Sequence, residues 1–151
     1  MSRTFEYTLD RRIVNRILLW MLRFGLAPSS YYLLTVRGRK TGNPHKVPVV
    51  LVEEEHKRWL VAPYGVVDWV KNARASGIVN LSRQAQSGDF RINELPPEAA
   101  APILKKYLQK FPITAPYFDA STDSAVDNFI EEARSKPVFE LTEVKTKEEG
   151  N

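Results

Sequence analysis

Two strand-like runs joined by a short glycine-bounded turn commit the front of this chain to an antiparallel hairpin. The runs are Tyr31-Tyr32-Leu33-Leu34-Thr35-Val36-Arg37 and Lys46-Val47-Pro48-Val49-Val50-Leu51-Val52, and the turn is Gly38-Arg39-Lys40-Thr41-Gly42. Between Arg37 and Lys46 the charged side chains are Arg37, Arg39, Lys40 and Lys46, with His45 beside them and no carboxylate. Glycines let a backbone approach a ligand closely or take φ > 0, and the cations place positive charge at the same spot. Such a hairpin mouth suits an anionic ligand, a phosphate or a string of carboxylates. The same residues also describe a solvated turn with a basic tip, and the pattern alone leaves both open.

The hairpin signals continue downstream. Glu53-Glu54-Glu55-His56-Lys57 reads as a polar turn and Arg58–Ala62 as a third strand. After the break at Pro63-Tyr64-Gly65, residues Val67–Ser76 fit a short helix ended by Gly77. Ile78–Arg83 and Asp89–Leu95 form another hairpin around Ser87-Gly88. Pro96-Pro97-Glu98 opens a helix running toward Phe111. Ser124–Ser135 reads as a further helix, capped by Asp123 or Ser124, and Pro137–Leu141 as a closing strand. About six mainly antiparallel strands with helices inserted late predict an α+β chain, a small β-barrel flanked by helices. A doubly wound sheet would need alternation of strand and helix from the start, and the Gly-x-Gly-x-x-Gly fingerprint is missing.

The predicted organisation is one barrel domain over residues 31–144, preceded by a basic segment (1–30) and followed by a charged tail (145–151). In the first segment, Ile13, Ile17, Trp20, Met21 and Phe24 recur at helical spacing after the candidate cap Asp10, and Arg11, Arg12, Arg16 and Arg23 make the helix basic. Packing on the domain is the favoured reading, and peripheral contact with an anionic membrane is the alternative. Fifteen residues are too few to span a bilayer.

The net charge of +4 points to an anionic partner without selecting one. With no cysteine, thiolate nucleophiles, disulfides and Cys-based metal sites are excluded. A cysteine-free chain without a signal peptide is expected in the cytoplasm. His45 and His56 are the two imidazoles, and neither has carboxylates at metal-ligand spacing, so no metal is assigned. Neither a Gly-x-Ser-x-Gly elbow nor a Walker-type loop occurs. If the chain is an enzyme, its reactive group comes from a cofactor.

A second cluster is Ala62-Pro63-Tyr64-Gly65 followed by Asp68-Trp69-Val70-Lys71-Asn72. Trp69 and Asn72 are three apart and share a helix face. They could position a planar heterocycle or anchor the helix to the barrel. At this point a family resemblance emerges. The run Leu33-Leu34-Thr35-Val36-Arg37-Gly38-Arg39-Lys40-Thr41-Gly42-Asn43-Pro44, then Val47-Pro48-Val49, resembles the deazaflavin-dependent nitroreductases, also called F420H2-dependent quinone reductases. The likeness continues through Tyr64-Gly65, Asp68–Asn72 and Ala75-Ser76-Gly77 to Lys136-Pro137-Val138-Phe139-Glu140-Leu141, so it covers roughly residues 31–141.

The resemblance implies a split β-barrel that binds coenzyme F420, a hydride carrier with a planar ring, a phosphodiester and a glutamate tail. It assigns the anionic tail to Gly38, Arg39, Lys40, Thr41, Gly42, His45 and Lys46. It assigns the ring to Val47, Pro48 and Val49, near Ala62, Pro63, Tyr64 and Gly65, with Trp69 and Asn72 bracketing the linker. His45 stands where many members carry an arginine, with Lys46 as its substitute. At Pro63-Tyr64-Gly65 the basic residue of other branches is missing, which leaves backbone N–H groups to contact phosphate. Tyr64 and Tyr117, and with less weight Tyr107, for which ordinary burial fits at least as well, are the candidates for lining an acceptor pocket or donating a proton. The implied reaction is hydride transfer from reduced F420 to a quinone, nitroaromatic or similar small molecule. FMN on the same barrel is the alternative cofactor, and a non-catalytic cofactor or lipid carrier is the alternative role. No nucleic-acid partner is expected, because the basic residues cluster at one turn. A monomer and a homodimer both fit such a barrel.

Overall fold

The computed structural model describes residues 31–84 and 86–144, so the basic helix expected at 10–24 and the tail from 145 lie outside the described residues. Six strands form a closed barrel: β1 (Tyr31–Arg37), β2 (Pro44–Glu54), β3 (Lys57–Val61), β4 (Ile78–Arg83), β5 (Gln86–Glu94) and β6 (Val138–Glu143). Their order around the barrel is β1-β2-β3-β6-β5-β4, with β1 pairing β4 to close it. Every pairing is antiparallel, as the hairpin signals predicted. Helix α1 (Asp68–Ser76) joins β3 to β4. Between β5 and β6 come α2 (Pro97–Lys110), a 3-10 turn (Pro112–Tyr117) and the short α3 (Asn128–Ala133).

The alternation of side chains along a strand divides the apolar residues between two cores. Leu34, Val36, Val49, Leu51, Leu60, Val79, Leu81, Phe139 and Leu141 point into the barrel, where Val70 and Ala73 of α1 join them. The intervening residues Val50, Val52, Trp59, Val61 and Val138 face outward and are covered by Ala101, Leu104, Tyr107 and Leu108 of α2 and Phe129 of α3. Both faces of β2 are therefore buried over Val49–Val52, which is why that stretch reads as an unbroken apolar run. Full burial of a leucine such as Leu34, Leu51 or Leu60 is worth about 1.5–3 kcal/mol each.

Two elements differ from expectation. Arg83 and Gln86 close the β4–β5 ladder, so Ser87 and Gly88 lie inside β5, opposite Ser82 and Leu81, and do not form the turn. Gln84 takes the left-handed conformation at the bend (φ 55°), which a composition-based search for glycine overlooks. The helix expected over 124–135 is confined to Asn128–Ala133. Ser124 is not its cap: the Ser124 hydroxyl oxygen accepts the backbone N–H of Ser121 at 2.9 Å and closes a separate turn.

Candidate functional site

The β1–β2 turn is built by its own backbone. Gly38 N–H donates to the Asn43 carbonyl at 2.7 Å, and Gly42 N–H donates to the Gly38 carbonyl at 2.8 Å. Gly42 sits at φ 77°, a conformation that costs little only for glycine. Gly38 is required for space: a Cβ there would stand 2.8 Å from Nε2 of His45. The imidazole thus packs on the bare Gly38 backbone, and the Thr41 hydroxyl accepts Asn43 N–H at 3.2 Å.

The turn leans on α1 and a cleft of about 570 Å³ opens between them. Gly38, Arg39, Lys40, Thr41, Asn43, His45, Lys46 and Val47 line one wall, and Asp68, Trp69 and Asn72 line the other. Asn72, 5% exposed, joins the two walls. Its Oδ1 accepts both the backbone N–H of Arg39 (3.0 Å) and Nη1 of the same residue (2.8 Å). A second guanidinium nitrogen, Nη2, stands 3.7 Å from Oδ1 of Asp68. Among the described residues Lys40 and Lys46 have no ion-pair partner, so their charges face the cleft uncompensated. Asn72 lines the cleft, and among the described residues its amide nitrogen has no acceptor. Unpaired ammonium groups beside a preset amide donor are the chemistry that holds oxyanions.

The structure brings together nine residues that the sequence reading put in the site: Gly38, Arg39, Lys40, Thr41, His45, Lys46, Val47, Trp69 and Asn72. Gly42 shapes the turn but does not line the cleft, and Val49 faces the barrel core. Pro48 occupies the ladder position opposite Leu33. Trp69 packs against the barrel core, with its ring 6.3 Å from that of Phe139.

Ala62, Pro63, Tyr64 and Gly65 lie apart from the cleft lining. Ala62 N–H donates to the Pro137 carbonyl and Gly65 N–H to the Ala62 carbonyl, so these two donors are engaged within the protein. Gly65 backs onto the Ser135 carbonyl, which a Cβ would approach to 3.3 Å. Tyr64 meets Tyr117 edge to face, ring centres 4.8 Å apart, which brings the two candidate tyrosines to one place. Asn43 and Asp68 also line the cleft; both stand in the motifs read from the sequence, but neither was assigned to the site. The signal for Asp68 was its spacing of four from Asn72 on one helix face. Among the described residues, no group of three or more His, Asp or Glu is placed to hold a metal ion, and no helix is long and apolar enough to cross a membrane.

Comparison with known proteins places the fold and the family. No curated protein matches the chain. Among solved structures, one described as a domain-swapped dimer is 22% identical, with a TM-score of 0.58 over 88% of this chain and 99% of the other. An F420H2-dependent reductase (FDR-A) is 26% identical, with a TM-score of 0.54 over 76% of this chain and 95% of that one. A FAD-binding protein from Mesorhizobium loti is 12% identical, with a TM-score of 0.50 over 83% and 89%, and shares the fold. The barrel is thus the split barrel of flavin- and deazaflavin-binding oxidoreductases. Residues 23–127 match the model of the F420H2-dependent quinone reductases, and the chain belongs to that family.

Proposed function

We propose that this chain binds reduced coenzyme F420, with the anionic tail in the cleft between the β1–β2 turn and α1, and reduces a small electron-poor acceptor of the quinone or nitroaromatic kind. The observation that carries the reading is that uncompensated Lys40 and Lys46 line one cleft with Asn72, whose amide nitrogen has no acceptor among the described residues. These residues fit a phosphodiester and glutamates: two ammonium groups supply charge, and a rigidly held amide supplies direction. The family match supports the same cofactor. When bound, reduced F420 supplies a hydride from its ring.

The chain's own part is binding and orientation. In this reading Lys40 and Lys46 neutralise the tail, Asn72 fixes its entry, and Trp69 offers an apolar wall toward the strand Val47-Pro48-Val49. Pro48 has no backbone N–H, and β3 pairs with β2 only over Leu51–Glu54, so the edge of β2 at Val47–Val49 that faces away from β1 carries no described strand. Tyr64 and Tyr117 form the acceptor side, where a phenol can donate a proton to a reduced oxygen or nitrogen.

Fluorescence titration with F420, with FMN as control, tests the cofactor. Saturable binding of F420 alone supports the reading, and binding of FMN alone overturns it. Oxidation of reduced F420 with menadione tests the reaction. Trp69→Ala is expected to weaken binding, and Tyr117→Phe to lower turnover while binding persists. Binding with no turnover above buffer, across quinones and nitro compounds, would instead make the chain a carrier.

A further inference from the structure

Among the described residues that line the cleft, Asp68 is the one acidic group beside Arg39, Lys40, His45 and Lys46. A carboxylate there opposes the binding of an anion, so its position calls for an explanation. Its Oδ1 faces Nη2 of Arg39 at 3.7 Å, and the Asp68 side chain is 78% exposed against 29% for Arg39. The guanidinium does not depend on this contact for its placement, because Asn72 already holds both its Nη1 and the Arg39 backbone N–H. Asp68 faces the Nη2 edge of the guanidinium, which Asn72 leaves unbonded. That edge is where a ligand oxyanion would bind.

We propose that Asp68 is a resident competitor for the tail: its carboxylate sits on Arg39 until a ligand oxyanion displaces it, which lowers the affinity of the cleft and favours ligands carrying several negative charges. The inference rests on the tail-binding reading above and adds a specificity-setting residue to it. An exposed ion pair at this distance is weak, so it can be displaced. A singly charged ligand must compete with Asp68 from solution. A polyanion first engages Lys40 and Lys46, and its next oxyanion then reaches Arg39 at high effective concentration. Asp68 also lies in the first turn of α1, where a negative charge favours the helix, but that role predicts no effect on ligand affinity.

The test is equilibrium fluorescence titration of the full chain, comparing wild type with Asp68→Asn and Asp68→Ser. The probes are F420 and its ring-bearing fragment lacking the phosphodiester and glutamates. At low ionic strength both variants are expected to bind F420 about three- to fivefold tighter than wild type. The gain should vanish toward about 1 M salt, where screening is nearly complete. Affinity for the fragment, which lacks the anionic tail, should not change. In an Arg39→Met background the Asp68 substitutions should confer no gain, since the competed group is gone. Equal or weaker F420 binding by both Asp68 variants overturns the inference while leaving the tail-binding reading intact. A gain that persists without Arg39 also overturns it, since the effect would be net charge alone. Failure of wild type and both variants to bind F420 removes the tail-binding reading, and the inference with it.

Discussion

One oxygen atom of Asn72 accepts two hydrogen bonds from Arg39, from the backbone N–H at 3.0 Å and from Nη1 at 2.8 Å. The contact joins residues 33 positions apart and fixes the β1–β2 turn against α1. It also changes what Arg39 is for. A guanidinium held on one side by an amide and faced on the other by Asp68 serves first to set the turn's position. Among the described residues, the uncompensated charges at the cleft are those of Lys40 and Lys46.

Asn72→Ala should therefore lower stability by about 1–3 kcal/mol, because partners of a buried acceptor are left unmatched. It should weaken F420 binding as well, through both the lost donor and the loosened turn. Asn72→Asp separates the two effects. The carboxylate still accepts from Arg39, so the melting temperature should stay near wild type, while the donor is gone and a negative charge faces the cleft. Thermal melts set beside F420 titrations of both variants check this. Equal binding losses with equal destabilisation would mean that Asn72 acts on the fold alone.

Gly38 and Gly42 bound the same turn for different reasons, and their alanine variants should behave differently. At Gly42 the penalty is conformational, since φ is 77° and a Cβ would meet nothing within 4 Å; about 1 kcal/mol is expected. At Gly38 the penalty is steric, from His45 Nε2 at 2.8 Å, with the Asn43 carbonyl at 3.2 Å. Forcing that contact should cost about 1–3 kcal/mol. His45→Ala should recover much of the Gly38→Ala loss and none of the Gly42→Ala loss. Chemical denaturation of the three single and two double variants measures the coupling.

The barrel was legible in the sequence because its strands alternate and its turns carry glycine or charge, as at Gly38–Gly42 and Glu53–Lys57. The basic half of the cleft was legible for the same reason, since one turn delivers Gly38 through Lys46 together. What joins that turn to α1 was not legible in detail. The reach from Arg39 to Asn72 spans 33 positions, and periodicity reports only neighbours on one element. The short α3 was misread because Asp123 and Ser124 look like caps in sequence, whereas the Ser124 hydroxyl closes a local turn and the helix starts only at Asn128.

Tyr32 gives a pH test of the opposite end of β1. Its hydroxyl donates to Oε2 of Glu53 at 3.3 Å. Burial first, and then the Glu53 carboxylate, push the phenol above its ordinary value, with Arg58 and Arg83 opposing. A phenol whose folded value is raised contributes stability that is fully present below the ordinary tyrosine value of about 10. That contribution is lost as pH rises through the folded value, because the unfolded chain releases the proton first. Urea unfolding across alkaline pH should show wild type losing stability more steeply than Tyr32→Phe. Parallel curves would remove Tyr32 as the cause.

The segment that carries Tyr117 is held by a buried carboxylate far from the cleft. Glu132 accepts Lys136 Nζ on Oε1 at 2.8 Å, and on Oε2 it accepts the backbone N–H groups of Asp119 and, at 2.7 Å, Ala120. The Lys136 ammonium also lies 5.0 Å from the centre of the Phe118 ring. Glu132 and Lys136 are both more than 90% buried, so neither charge is well solvated without the other. Glu132→Ala should cost about 3–5 kcal/mol, since it strands a buried ammonium and two backbone donors. Glu132→Gln keeps an acceptor for the loop but leaves Lys136 uncompensated, and should recover only part of the loss. Adding Lys136→Met removes the stranded charge with little change of volume and should restore most of the stability. If Glu132 also sets the position of Tyr117 against Tyr64, the double variant should regain turnover with its stability, while Glu132→Ala, assayed well below its melting point, should not. Unaltered turnover in folded Glu132→Ala would confine this carboxylate to holding the fold.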